Sequence, residues 1–266
     1  MKMRLISASM LLLASGGLSA APLDLNQPCV LTEGAVLGAG FKGHDTRAVA
    51  KSLEAAGGEK DEFETTAQFQ ERIASVVSRQ PAAIAIGALC VTHEEVRPSV
   101  VSYDADAQIL WIDIETLAND IRSDTWNKSS GEHEANNAYG ATVTVSSYRY
   151  NTASVNFVRE RLDAQLKKAK GVEYHQGPYV RHRSIPVSLT NDVARNMKGN
   201  VGVVYLYGVV PPYQEKDTVY SPGTFDRPTE LFIKTLVVSG ELKSVAVINK
   251  KSGAVLKVIR MEENKQ

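Results

Sequence analysis

Apolar residues change period several times along this chain, and each change marks a predicted element. Behind Asp45, the residues Val49, Leu53 and Ala56 recur at helical spacing until Gly57-Gly58, which predicts a short capped helix. Thr65 or Thr66 opens a second helix, with Phe69, Ile73 and Val76 or Val77 as its apolar stripe, stopped before Pro81. Ala83–Thr92 is then apolar on both faces, as a central buried strand requires. Val96–Tyr103 and Gln108–Ile114 flank Asp104-Ala105-Asp106-Ala107, a hairpin turn. Ala141–Tyr150 alternates as a half-buried strand does. Val155, Val158, Leu162, Leu166 and Ala169 fall at steps of 3, 4, 4 and 3, which predicts an amphipathic helix ending at Gly171. Thr190-Asn191-Asp192 opens a short helix toward Met197, and Gly202–Val210 is a β-branched strand.

The end of the chain predicts a C-terminal β-meander of Leu231–Val238, Leu242–Ile248 and Ala254–Met261, divided at Ser239-Gly240 and at Asn249–Gly253. Two stretches show no period and read as loops: Asp120–Asn137, and Pro211–Pro228 with its four prolines. The expected fold is therefore α+β, with a largely antiparallel sheet and three or four packed helices. Its core should draw on Ile84, Ile86, Leu89, Ile112, Val145, Leu162, Val204, Leu206, Leu236, Val247 and Val258. One α+β domain over 21–266 is expected, with a subdivision near 115–140 as the alternative.

The first residues change the picture of where this fold works. Lys2 and Arg4 precede the apolar run Leu5–Ala14, and small residues follow through Ala21, the order of a secretory signal peptide. The apolar run is about half the roughly 20 residues of a spanning helix, so no membrane span is expected once a leader over 1–20 is removed. Cleavage is expected after Ala20, with Ala21 as the alternative. A periplasmic or secreted protein follows. Without Lys2 and Arg4 the chain carries 28 basic against 30 acidic residues, a net charge of −2, which speaks against nucleic acid as a partner. The two cysteines, Cys29 and Cys90, read as a disulfide in an oxidising compartment.

Candidate chemistry is sparse. Gly38-Ala39-Gly40-Phe41-Lys42-Gly43 matches GxGxxG, but no second strand ends in an acid about 20 residues on, so it reads as a glycine turn rather than a phosphate cradle. The histidines are His44, His93, His133, His175 and His182. His93-Glu94-Glu95 and Glu132-His133-Glu134 offer ligand types without HExxH spacing, so no metal site is expected. There is no GxSxG or SxxK. Asp104 with Asp106 reads as turn chemistry, Asp113 with Glu115 as a pair two residues apart, and Arg181-His182-Arg183 as solvated surface. No cofactor is called for. What remains is the aromatic content of the two loops: Tyr213, Tyr220 and Phe225 in one, Trp126 in the other.

Asp61-Glu62-Phe63-Glu64-Thr65-Thr66, followed by Phe69 and Arg72, resembles a segment of exported bacterial proteins that have no established activity. Asn137-Ala138-Tyr139-Gly140 and Asn249–Val255 are similar to later segments of such proteins. The resemblance implies a bacterial envelope setting and carries no site residues. The expected function is a non-catalytic binding or interaction protein of the envelope, whose partner is another envelope protein, a peptide or a polymer. The alternative is an envelope hydrolase with a site assembled from dispersed His and acidic residues.

Overall fold

The computed structural model describes residues 21–266 except 56, 58–59, 80–84, 94–95, 119–120, 137–138, 177–180, 198 and 263–266. The leader and Ile84 fall outside that range. In chain order the elements are α1 (Thr46–Ala55), α2 (Thr66–Arg79), β1 (Leu89–His93), β2 (Val101–Asp104), β3 (Ile109–Asp113), α3 (Ile114–Leu117), β4 (Ile121–Asn136) and β5 (Thr142–Phe157). They continue as α4 (Arg159–Lys168), β6 (Glu173–Gln176), β7 (Arg181–Ser188), α5 (Asn191–Met197), β8 (Val201–Ser221), β9 (Thr229–Asn249) and β10 (Val255–Arg260). The fold is α+β, with five α-helices among the described residues rather than three or four.

Two sheets share one core. The larger runs β1-β8-β9-β5-β4, with β10 also on β9, and the smaller runs β2-β3-β7-β6. One continuous apolar cluster joins them. It takes Ile112 and Ile185 from the smaller sheet, Tyr205, Tyr207 and Val247 from the larger, Val49 and Leu53 from α1, and Leu162 and Leu166 from α4. A second cluster lies on the other face of β1, β8 and β9, where Leu31, Phe41 and Cys29 cover Cys90, Val204 and Ile248. Of the expected core, Leu89, Ile112, Val145, Leu162, Val204 and Val247 are buried, and Ile86, Leu206, Leu236 and Val258 are half-buried against the two clusters.

Local signals place the helices. Asp45 caps α1 by accepting the Ala48 N–H at 3.1 Å. Thr65 and Gln68 form a reciprocal capping box at the start of α2, with N–H···O distances of 2.9 and 3.2 Å. Glu64, just before it, holds Arg72 through two bonds of 2.8 Å, and Arg72 also donates to the Gly57 carbonyl at 2.6 Å. The Arg72 guanidinium keeps the Glu64 carboxyl below its usual range. A carboxylate with a lower pKa folded than unfolded stabilises above its unfolded pKa, and that contribution is lost as pH falls below about 4.5. Glu64→Gln is therefore expected to flatten the acid limb of a stability–pH curve, with variant and native protein converging at low pH in urea unfolding.

Four predicted elements differ from the structure. Asp120–Asn137, read as a loop, is mostly the strand β4, paired antiparallel along β5 from Ile121 to Asn136. Its exposed outer stretch is polar on both faces, so no period marks it. Pro211–Pro228 is not one loop: β8 continues to Ser221 across a cis Pro211–Pro212 bond. The prolines sit in a bulge, since Val209 pairs Gly240 and the next paired residue, Gln214, faces Val238. Bulged residues owe no N–H to the ladder, which is where a strand tolerates proline. Third, Ser239-Gly240 is not a turn but the middle of β9. A Cβ on Gly240 would stand 3.0–3.1 Å from the Tyr207 and Phe157 rings, so the glycine makes room for aromatic packing. The helix expected from Val155 also starts later, because Val155 and Phe157 belong to β5 and enter the core from a strand.

The sheets are antiparallel with one exception. β5 runs parallel to β9, residues 146–157 against 229–240, while β8 pairs β9 from Leu231 to Asn249 and β10 takes over from β5 beyond Gly240. β8, β9, β5 and β4 thus extend together past the core as a four-stranded arm. The β4–β5 ribbon projects further still, because β9 pairing stops at Ser146.

Candidate functional site

Alternation assigns the two faces of the arm. One carries Trp126, Asn151, Lys234 and Lys216, and α1 lies across its inner part: Arg47 stacks 4.3 Å from the Trp126 ring centroid, and Glu54 pairs Lys216 at 3.1 Å. Further out on that face Phe232 is flanked by Arg149 and Lys234, at 5.9 and 5.6 Å from its ring centre, with the Tyr220 ring edge-on at 6.3 Å.

The opposite face bears Tyr148, Tyr150 and Thr152 from β5, with Leu231 and Ile233 beside them on β9. On β4 the ladder skips from Trp126 to Ser129, so Asn127 and Lys128 together oppose Tyr150. Asn127 takes the left-handed conformation this bulge needs, φ 52°. The result is a groove of about 580 Å³ with Tyr148 and Tyr150 as its rings, Thr125 and Ser130 as its hydroxyls, the buried Thr152 beneath, and Lys128 at its edge. That volume lies within the roughly 300–1,000 Å³ of small-ligand sites. No sequence pattern pointed to Tyr148 and Tyr150 as site residues. The signal available was two tyrosines two residues apart on one alternating strand, which place both rings on one face.

The four aromatic residues singled out from sequence are not brought together. Tyr220 and Phe225 remain half or more exposed, at 58% and 50%, at the end of β8 and in the β8–β9 connection. Tyr213 packs half-buried against the core with its ring 6.0 Å from Phe69, and burial raises its phenol pKa. Trp126 is held under Arg47. Tyr205 and Tyr207 lie fully buried, with hydroxyls pushed well above the usual range by desolvation.

The histidines fall at separate places except for one cross-strand pair. His44 is buried; its Nδ1 accepts the Cys90 N–H and its Nε2 donates to the Gln27 carbonyl, both at 2.9 Å, which fixes the neutral Nε2–H tautomer. His133 sits on the exposed ribbon. His182 and His175 are cross-strand neighbours on β7 and β6, and His182 Nδ1 stands 3.4 Å from Asp113. Asp113 is already committed as the cap of α3, accepting from the Thr116 N–H and hydroxyl at 3.0 and 2.7 Å. Arg183 is paired with Asp163, whose carboxyl Lys167 and Arg183 hold below its usual range. Among the described residues no group of three or more His, Cys, Asp or Glu could hold a metal ion.

The glycine motif is used structurally. Gly40 donates to the Lys250 carbonyl at 3.0 Å, and Gly38 lies so close to Gly253 that a Cβ on the latter would stand 2.2 Å from the Gly38 carbonyl oxygen. These glycines let the segment before α1 lie on the β9–β10 turn. Cys29 and Cys90 stand at disulfide distance, their Cα atoms 5.8 Å apart. No helix among the described residues is long and apolar enough to cross a membrane. The chain matches no protein family, no curated protein and no solved structure.

Proposed function

We propose that this chain is an exported, non-catalytic binding protein of the bacterial envelope that engages its partner through the four-stranded arm. The observation that carries the reading is the arm itself. It projects beyond the core and bears Tyr148, Tyr220 and Phe225 at 45%, 58% and 50% exposure. Half-exposed rings on both faces and at the end of one projection offer a partner apolar contact area, with a polar tip on the two tyrosines. Export is supported by the leader pattern, by the Cys29–Cys90 pair, which belongs in an oxidising compartment, and by the resemblance to exported proteins. Tyr220 and Phe225 are the loop aromatics that stay available for a partner, while Tyr213 and Trp126 support the arm from within.

The experiment is retention of a solubilised envelope fraction on immobilised protein. Tyr148→Ala combined with Tyr220→Ala is expected to reduce retention about tenfold, at an unchanged thermal midpoint. Retention that survives both substitutions would sink the reading. Turnover of an envelope polymer that disappears in His182→Ala would replace it with the hydrolase.

A further inference from the structure

We infer that the groove over Tyr148 and Tyr150 is a subsite for an acidic saccharide, a short stretch of sugar rings bearing a carboxylate or phosphate. The inference rests on the binding reading above and names the ligand class of that arm.

The groove lies on the face of the sheet, with the edge strand β4 along its rim. Beneath it the backbone groups of β5 are engaged on both sides, by β4 and by β9. At the groove floor no ladder of donors and acceptors is left for an extended peptide; strand addition would take the outer side of β4, the edge strand, and not the face that carries the two rings. Recognition falls to side chains, and those present are of two kinds. Tyr148 and Tyr150 follow one another on the same face of β5, about 7 Å apart along the strand. Hydroxyls surround them: Ser130 opposite Tyr148, Thr125 opposite Thr152. Leu231 closes the floor beside Tyr148. Flat rings among hydroxyls suit a ligand with apolar C–H faces and a rim of hydroxyl groups, which is the chemistry of a pyranose ring.

Charge selects the acidic class. Among the described residues that line the groove there is no carboxylate, while the bulge turns Lys128 to its edge. Glu132 and Glu134 stand further along β4 on the same face, toward the tip. An acidic substituent is thus drawn to the Lys128 end and repelled from the ribbon end, which orients the ligand. The same two glutamates act against single-stranded nucleic acid. Stacking on a sheet face suits bases as well, but a phosphate backbone needs a continuous cationic track.

The test is calorimetric titration of the full protein, with amide NMR shifts locating the site. The probes are tetragalacturonate, a hyaluronan tetrasaccharide, neutral cellotetraose, an oligothymidylate and tetraglutamate. At least one acidic saccharide is expected to bind about tenfold more tightly than cellotetraose, with shifts centred on Tyr148 and Tyr150. Tyr148→Ala is expected to weaken that binding about tenfold, Lys128→Gln to erase the preference for acid over neutral, and Tyr220→Ala, on the opposite face, to change neither. Two outcomes overturn the assignment: no saccharide moves the groove resonances at millimolar concentration, or the oligothymidylate or tetraglutamate binds there in preference. If saccharides fail while envelope retention still depends on Tyr148, only the ligand class falls. If retention is also lost as a Tyr148-dependent signal, the arm reading falls with it.

Discussion

Replacing Cys29 and Cys90 together by alanine is expected to lower the unfolding free energy by about 4 kcal/mol, measured by equilibrium denaturation against the oxidised protein. The two residues are 61 apart in sequence, so a bridge between them removes the closure entropy of a long loop from the unfolded chain. Besides the bridge, single hydrogen bonds tie the segment it holds to its neighbours, among them Cys29 N–H to the Ala88 carbonyl, Leu37 N–H to Gly253 and Gly40 N–H to Lys250. Residues 23–44 contain no helix or strand, only isolated bridges such as Leu23 to His44 and Gly43 to Val91. Yet this segment supplies Cys29, Leu31 and Phe41, one side of the second apolar cluster. Untying it exposes Val204, Ile248 and Val255 on the sheet beneath. Reductant should bring the native protein close to the variant, and the variant itself should be indifferent to reductant. A loss below about 1 kcal/mol would show that the segment is held without the bridge.

Gly43→Ala is expected to cost about 3 kcal/mol in the same measurement, an unusual loss for adding one methyl group to a partly exposed stretch of chain. Two causes combine. Gly43 has φ +77°, where an L side chain is strained, and its Cβ would stand 2.5 Å from the carbonyl oxygen of Cys90. That carbonyl is backbone of β1, which is the buried edge strand of the larger sheet rather than the central strand its apolar run predicted, and its pairing along β8 keeps it from moving aside. It also accepts the His44 N–H at 2.8 Å, while Cys90 N–H reaches the His44 ring, so displacement would break a set of bonds rather than one. Because Gly43 and Cys90 are in contact, the glycine and cysteine substitutions should not add. The combined variant is expected to lose less than the sum, since each loosens the same segment from β1.

The two expectations share an origin in the sequence and divide over how much of it could be read. Cys29 and Cys90 were legible as a pair from compartment and count alone. Gly43 was legible only as the end of a GxGxxG string, which points by convention to a phosphate. What the glycine is for became visible once Cys90 lay against it, a contact across 47 positions that no local pattern encodes. The site shows the same division. Tyr220 and Phe225 stood out as aromatics among prolines, and they are exposed on the arm. Tyr148 and Tyr150 did not stand out, because what makes them a groove is the Asn127–Lys128 bulge on the neighbouring strand.

By itself the sequence determined the pieces whose causes are local. Asp45 and the Thr65–Gln68 box start α1 and α2, Thr190-Asn191-Asp192 leads into α5, and Asp104 turns the β2–β3 hairpin by accepting two N–H bonds of 3.0 and 2.9 Å. Capping and turn bonds close within a few residues, so the order of residues suffices to specify them. The tertiary structure alone decided the long strands. β4 is polar, β8 passes through two prolines and β9 through a serine–glycine pair, and each is a strand because the strands beside it complete its ladder, β5 for β4, β9 for β8, and β8 with the distant β5 for β9. Hydrogen bonds between strands depend on which chain lies alongside, and the parallel pairing of β5 with β9 brings together residues 83 positions apart.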